Sequence, residues 1–353
     1  MLPYERLMAI LSGKKDTVDR IPCINSVSVS TVEFMKTYGA HWPAAHKDSE
    51  KMAKLASAAY RSCNLEIVSV PFCMTVEAEV LGAKIDFHEN TIKWPSVRSF
   101  QVEDLSDLKY PEDVSRFGRI PAITEAIKIL KDEFGGKVPV NAYIVPPFTS
   151  LSSYLVDSIT FLKWLRRAPE KVHEFCKDTL GTFIEIAKLY KEAGADVITF
   201  HEMGASTDNI SPNHFEEFVK PYLKEIIRQL NSFTILNICG SAEMIMDKMV
   251  ECGANAVAVD ERTPIRKVRQ KIDGIKPGYP LIGNVSSYGI LHQGPVERIR
   301  EAVKNCIEDG VDIVAPGCDF WLETPTKNIR AFVDACIKYG SPPPWNSVSE
   351  QRL

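Results

Sequence analysis

Three short stretches of this chain are nearly the same: residues 192–196 (EAGAD), 251–255 (ECGAN) and 308–312 (EDGVD). Each follows an amphipathic, helix-like run and precedes a short β-branched or apolar one. A glycine at that point takes the left-handed conformation that ends a helix. One helix-to-strand turn used repeatedly implies a repeated architecture, and strands alternating with helices imply a parallel sheet.

Strand signals occur at residues 21–25, 65–70, 138–144, 195–200, 233–238, 255–260, 280–284 and 312–317. Helical spacing between them puts Ile123, Ile127, Leu130 and Phe134 on one face, and Val172, Phe175, Leu180, Phe183, Ile184 and Ala187 on another. Gly194, Gly253, Gly310 and Gly340 are read as helix ends. Eight strands with helices between them predict an α/β fold, a (β/α)8 TIM barrel over residues 1–340. A helix within residues 1–20 precedes the barrel. The stretch 71–137 is too long for a simple connection and reads as an insertion after the second strand, with small strands near 80–87 and 92–100. The Pro-rich tail 341–353 reads as loosely ordered. No G-x-G-x-x-G follows the first strand and no P-loop motif is present, so both nucleotide-binding readings lose their support.

Charge narrows the partners. The chain has 42 basic and 46 acidic side chains and no dense Lys/Arg block, which argues against nucleic acid. No apolar run approaches the ~18–20 residues that span a bilayer, so no membrane partner is expected. The first residues lack a secretory pattern, and a cytoplasmic location is expected. Nine cysteines, an odd number, argue against a disulfide framework. Cys306 and Cys336 fall on apolar helix faces and read as core.

The reactive side chains cluster elsewhere. Barrel enzymes place their chemistry at the C-terminal ends of strands. There the sequence sets His201 and Glu202, then Asn237 and Cys239, then Asp260, Asn284 and Cys318. Two thiolates from separate strands suit zinc, which keeps one position open in reactive sites. The same residues also permit inert buried thiols, a hydrogen-bonded His-Glu pair, and helix caps at Asp260 and Asn284.

Residues 234–261, 281–295 and 312–335 carry a resemblance, above all Ile238-Cys239-Gly240 followed by Ala315-Pro316-Gly317-Cys318. They resemble the methylcobamide:coenzyme M methyltransferases of the uroporphyrinogen decarboxylase-like superfamily. Residues 40–56 and 118–130 look similar too, so the resemblance covers nearly the whole chain. It implies the barrel and a zinc site built from a His-x-Cys pair and a distant cysteine. Cys239 and Cys318 match the cysteines, but Asn237 stands where that family has histidine. Glu202 is then the expected third ligand, with His201 next, and Glu202, Cys239 and Cys318 the expected catalytic set. Asp260 and Asn284 are expected on the cofactor side, and His201, Asn237, Tyr143 and Trp321 beside the substrate.

The implied chemistry is methyl exchange between a corrinoid and a small molecule, with a thiol such as coenzyme M as acceptor. The alternatives are demethylation of a methoxylated aromatic or similar donor, and a metal-free binding protein on the same barrel. Carriers of the corrinoid show D-x-H-x-x-G. The one D-x-H here, Asp86-Phe87-His88, has Thr91 at the glycine position, so the corrinoid is expected on a separate protein. The decarboxylase itself is a weaker match, because residues 24–39 contain no arginine to clamp an acidic tetrapyrrole.

Overall fold

A computed structural model of the protein describes residues 1–99 and 102–346. Its strands are β1 (Val68–Val70), β2 (Ile85–Asp86), β3 (Ser96–Val97), β4 (Val140–Ile144), β5 (Val197–His201), β6 (Phe233–Ile238), β7 (Ala256–Val259), β8 (Leu281–Val285) and β9 (Ile313–Pro316). Seven form one parallel sheet in the order β1-β4-β5-β6-β7-β8-β9, while β2 and β3 make a small antiparallel hairpin within the expected insertion. The sheet is curled and flanked by helices.

It is not the closed eight-stranded barrel read from the sequence. The stretch 21–25 contributes a single bridge, Cys23 to Val314, instead of a ladder. Ile24 N donates to Val314 O and Val314 N to Pro22 O, both at 3.0 Å, and Glu66 N reaches Cys23 O at 2.9 Å on the other side. Two features stop the pairing there. Pro22 has no N–H to offer. Asn25 then turns the chain, its side chain accepting from Val27 N and donating to Ser28 O, each at 2.9 Å.

Alternation along each strand sorts the side chains. Ile198, Phe200, Leu236, Ile238, Val257, Val259 and Val314 face the helices and join the main core. Val197, Ile235, Ala256, Ala258, Ile282, Ile313 and Ala315 point into the curl and pack on Leu7, Ile10 and Leu11 of the helix Pro3–Leu11. That inward set changes character along the strands. Above the apolar floor lie polar side chains, with Thr199 Oγ1 donating to Asn141 Oδ1 at 2.8 Å and Asn141 Nδ2 to Ser26 O at 3.1 Å.

The repeated turns behave as expected at Gly194, Gly253 and Gly310, whose φ angles are +116°, +89° and +107°. Gly340 differs: its φ is −92°, and glycine is needed there because a Cβ would stand 2.7 Å from the Cys336 carbonyl oxygen and 2.9 Å from Ile21 Cβ. Part of the tail is tied down, since Trp345 Nε1 donates to Lys15 O at 3.1 Å. Residues 347–353 lie outside the described residues. No helix among the described residues is long and apolar enough to cross a membrane.

Glu66 fastens the bridging segment. It is 1% exposed and accepts from Arg6, from Arg20 Nη1 at 2.8 Å and from Cys23 N at 2.9 Å. Glu66→Ala leaves the buried Arg6 guanidinium with Asp19 alone, at 2.8 and 2.9 Å, and takes the acceptor from Arg20 and from the Cys23 amide. The expected loss is about 1.5–3 kcal/mol of unfolding free energy, read from denaturant midpoints. A loss under about 1 kcal/mol would mean that the network does not hold the segment.

Candidate metal centre

Three donor atoms meet at the C-terminal rim of the sheet. His201 ends β5, Cys239 follows β6 and Cys318 follows β9. Their ligand atoms all lie within 4.8 Å of one another. His201 Nε2 is 3.3 Å from Cys239 Sγ, and Cys239 Sγ is 3.0 Å from Cys318 Sγ. In a flat sheet β6 and β9 would stand roughly 14 Å apart, three strand spacings. The curl therefore assembles the trio.

The electrostatics favour one shared thiolate. Cys318 is held well below the usual thiol range by the hydrogen bond from Cys239 and by neighbouring His201, while Cys239, as the donor, is pushed well above it. Burial alone would depress His201, but the hydrogen bond and charge of Cys318 raise it instead. Beside the trio, His201 Nδ1, Asn237 Nδ2 and Tyr143 Oη are buried without hydrogen-bond partners. An imidazole and two thiols with an open side match the nitrogen-and-sulfur set of a reactive zinc site.

Glu202, expected as third ligand, lies outside the trio. Alternation turns it to the opposite face from His201. There its carboxylate accepts from Thr149 Oγ1, its Oε2 has no partner, and burial pushes its pKa up to about 7. Asn237 is the register partner of His201 across β5 and β6, so both point into the curl on one rung. The imidazole at 201 thus stands one strand over from position 237. Asn284 Nδ2 is occupied by the carbonyls of Asp260 at 2.9 Å and Thr263 at 2.8 Å. It braces the loop after β7 and does not line the cavity described next.

A cavity of about 330 Å³ opens onto Cys318 and is walled in part by Asp260, Asp319, Trp94, Tyr154, Tyr288 and Trp321. A larger recess of about 560 Å³ lies at the opposite rim, among the helix-to-strand turns at Gly194 and Asn255, and holds no thiol or histidine. Of the expected substrate residues, Trp321 lines the Cys318 cavity, while Tyr143 is 1% exposed beneath it, its ring 6.1 Å from that of His201. Sequence reasoning missed several wall residues. Asp319 was visible as the neighbour of Cys318, and Cys73 as a residue just after β1. Trp94 lies in the insertion and carries no local signal.

Comparisons with known proteins give the family. The uroporphyrinogen decarboxylase (URO-D) family profile matches residues 2–339. A methylcobamide:CoM methyltransferase, MtaA, from Methanosarcina barkeri is 36% identical over 335 residues, covering 95% of this chain and 97% of that protein. Methylcobamide:CoM methyltransferase MtbA from Methanosarcina acetivorans is 33% identical, covering 96% and 98%. A solved methyltransferase from Methanosarcina mazei superposes with a TM-score of 0.89 at 35% identity, covering 96% of this chain and 99% of that one. The chain belongs to the uroporphyrinogen decarboxylase family, and within it is closely related to the methylcobamide:CoM methyltransferases.

Proposed function

We infer that this corrinoid-dependent methyltransferase takes a methyl group from cobalt on a separate carrier protein and gives it to a small thiol held at zinc. His201, Cys239 and Cys318 would bind the metal. The observation that carries the reading is their convergence within 4.8 Å beside a cavity into which Cys318 faces. The names of the relatives, methylcobamide:CoM methyltransferases, support a methylcobamide donor and a thiol acceptor.

When bound, zinc at this trio supplies the Lewis acidity that keeps a substrate sulfur deprotonated near neutral pH. The chain's own contribution is position. In the displacement, the carbon–sulfur bond forms as the cobalt–carbon bond breaks, so sulfur, methyl and cobalt must lie in line. Cys318 lines the cavity, with Cys239 Sγ 3.0 Å behind it. Tyr288 and Trp321, 48% and 41% exposed, stand at its edge, where a docked carrier would cover them and exclude water.

Glu202 is assigned no metal contact. Its place between Thr149 and the helix layer supports a bracing role for the loop that follows His201.

Zinc content of the purified protein tests the ligand set. Near one zinc per chain is expected for the parent and for Glu202→Gln, with most of it lost in His201→Ala and Cys318→Ala. Retention in His201→Ala with loss in Glu202→Gln would return the third position to the carboxylate. A second test uses the shared rung. Combining His201→Ala with Asn237→His moves the imidazole one strand over, and zinc binding should recover. A double variant that folds but stays metal-free would show that the two positions are not equivalent.

A further inference from the structure

The three most exposed large apolar side chains among the described residues stand on one rim. Ile159, Met244 and Leu162 are 67%, 63% and 51% exposed. Ile159 and Leu162 lie on the helix Ser158–Arg167, reached from β4, and Met244 in the short turn Glu243–Ile245, reached from β6. Positions three apart share a helix face. The other face of this helix, with Phe161, Trp164 and Leu165, is already spent on the core. Leu162 and Met244 wall one recess of about 290 Å³, together with Asp208 and Ile210 from the segment after β5. Apolar side chains gathered in water in this way mark an interaction site.

This face is continuous with the mouth of the metal centre. Asp208 accepts from Ser241 N at 3.0 Å, two residues past Cys239, and from Arg262 Nη1 at 2.9 Å. Arg262 in turn walls the cavity that opens onto Cys318, with Tyr288 and Trp321. Charge gives the face a sign. The helix Ser158–Arg167 carries Lys163, Arg166 and Arg167, all exposed, and no acidic residue, in a chain whose formal net charge is −4.

We propose that the corrinoid carrier protein docks on this rim. Ile159, Leu162 and Met244 would meet an apolar patch of the carrier, and Lys163, Arg166 and Arg167 an acidic one. This rests on the reading of the chain as a methyltransferase served by a separate carrier. Cobalt sits at the centre of a broad macrocycle. For sulfur, methyl and cobalt to lie in line, that ring must lie over the cavity mouth, and the protein holding it must rest on the rim beyond the ring's edge. The recess mixes its apolar side chains with Thr207, Asp208, Asn209 and Ser211, and such polar content suits an interface that forms and parts at each transfer. A second copy of this chain held there permanently would stand over the mouth.

The probe is the producing organism's own corrinoid protein, of the D-x-H-x-x-G class and loaded with methylcobamide. The double variant Leu162→Asp/Met244→Asp should weaken its binding to the zinc-loaded full chain, and kcat/KM with it as donor, by about tenfold or more. Arg166→Glu/Arg167→Glu should slow association and flatten its dependence on salt. With free methylcobalamin as donor, both variants should match the parent, because no protein has to dock. Ile275→Asp is the control: that side chain is 45% exposed at the end of the helix Ile265–Ile275, before β8, and its loss should leave both donors unaffected. A parent that fails to bind the carrier, or undiminished binding by Leu162→Asp/Met244→Asp, would overturn the proposal. So would equal losses with both donors, which would place the effect in the chemistry. A parent that sediments as a dimer, made monomeric by the same two substitutions, would give the face to a second copy and overturn it as well. Carrier binding that the variants weaken, with no methyl transfer to a thiol by the parent from either donor, would retire the transferase reading and leave the docking surface standing.

Discussion

The parity of residues along a parallel strand governs this molecule. Every second side chain of β5, β6, β7 and β9 faces the helices and, Thr234 apart, is apolar, which holds the layers together. The other half points into the curl and is released from that duty once the floor has been sealed by Leu7, Ile10 and Leu11. The inward series can therefore run from Val197 through Thr199 to His201, and from Ile235 through Asn237 to Cys239. The apolar floor is concentrated at one end of the strands and the candidate donor side chains at the other, the division that is general for this architecture.

Parity also explains which expectations survived. Helix-to-strand turns and β-branched runs are local signals, and seven of the eight expected strands lie in the one parallel sheet. The stretch 21–25 looked like the others because composition does not reveal what Pro22 and Asn25 do to a ladder. At the site, Cys239 and Cys318 were legible from their places after two strands. For a third donor, ligand chemistry ranked carboxylate before imidazole, whereas in the structure His201, and not its neighbour Glu202, lies with the two thiols. His201 and Glu202 are neighbours in sequence and lie on opposite faces of the sheet.

What remained illegible depends on contacts distant in sequence. Trp94 and Trp321 are brought together from the insertion and the final loop, and no window of the chain contains both. The same holds for the carboxylates around the cavity. Asp260 and Asp319 read individually as a cap and as an incidental neighbour of a cysteine. Their meeting on the wall of one cavity exists only after the sheet has curled.

The single bridge between Cys23 and Val314 joins the first part of the chain to nearly the last. A nascent chain long enough to form β4, β5 and β6 still lacks the partner for Cys23, and it lacks Cys318 as well. During synthesis the early segments must wait with their sheet edge unpaired, which is the condition under which chains of high contact order are most prone to mispairing. The donor trio matures at the same moment as the ring of contacts, so capture of a metal ion by all three side chains would report that the last strand has found its place.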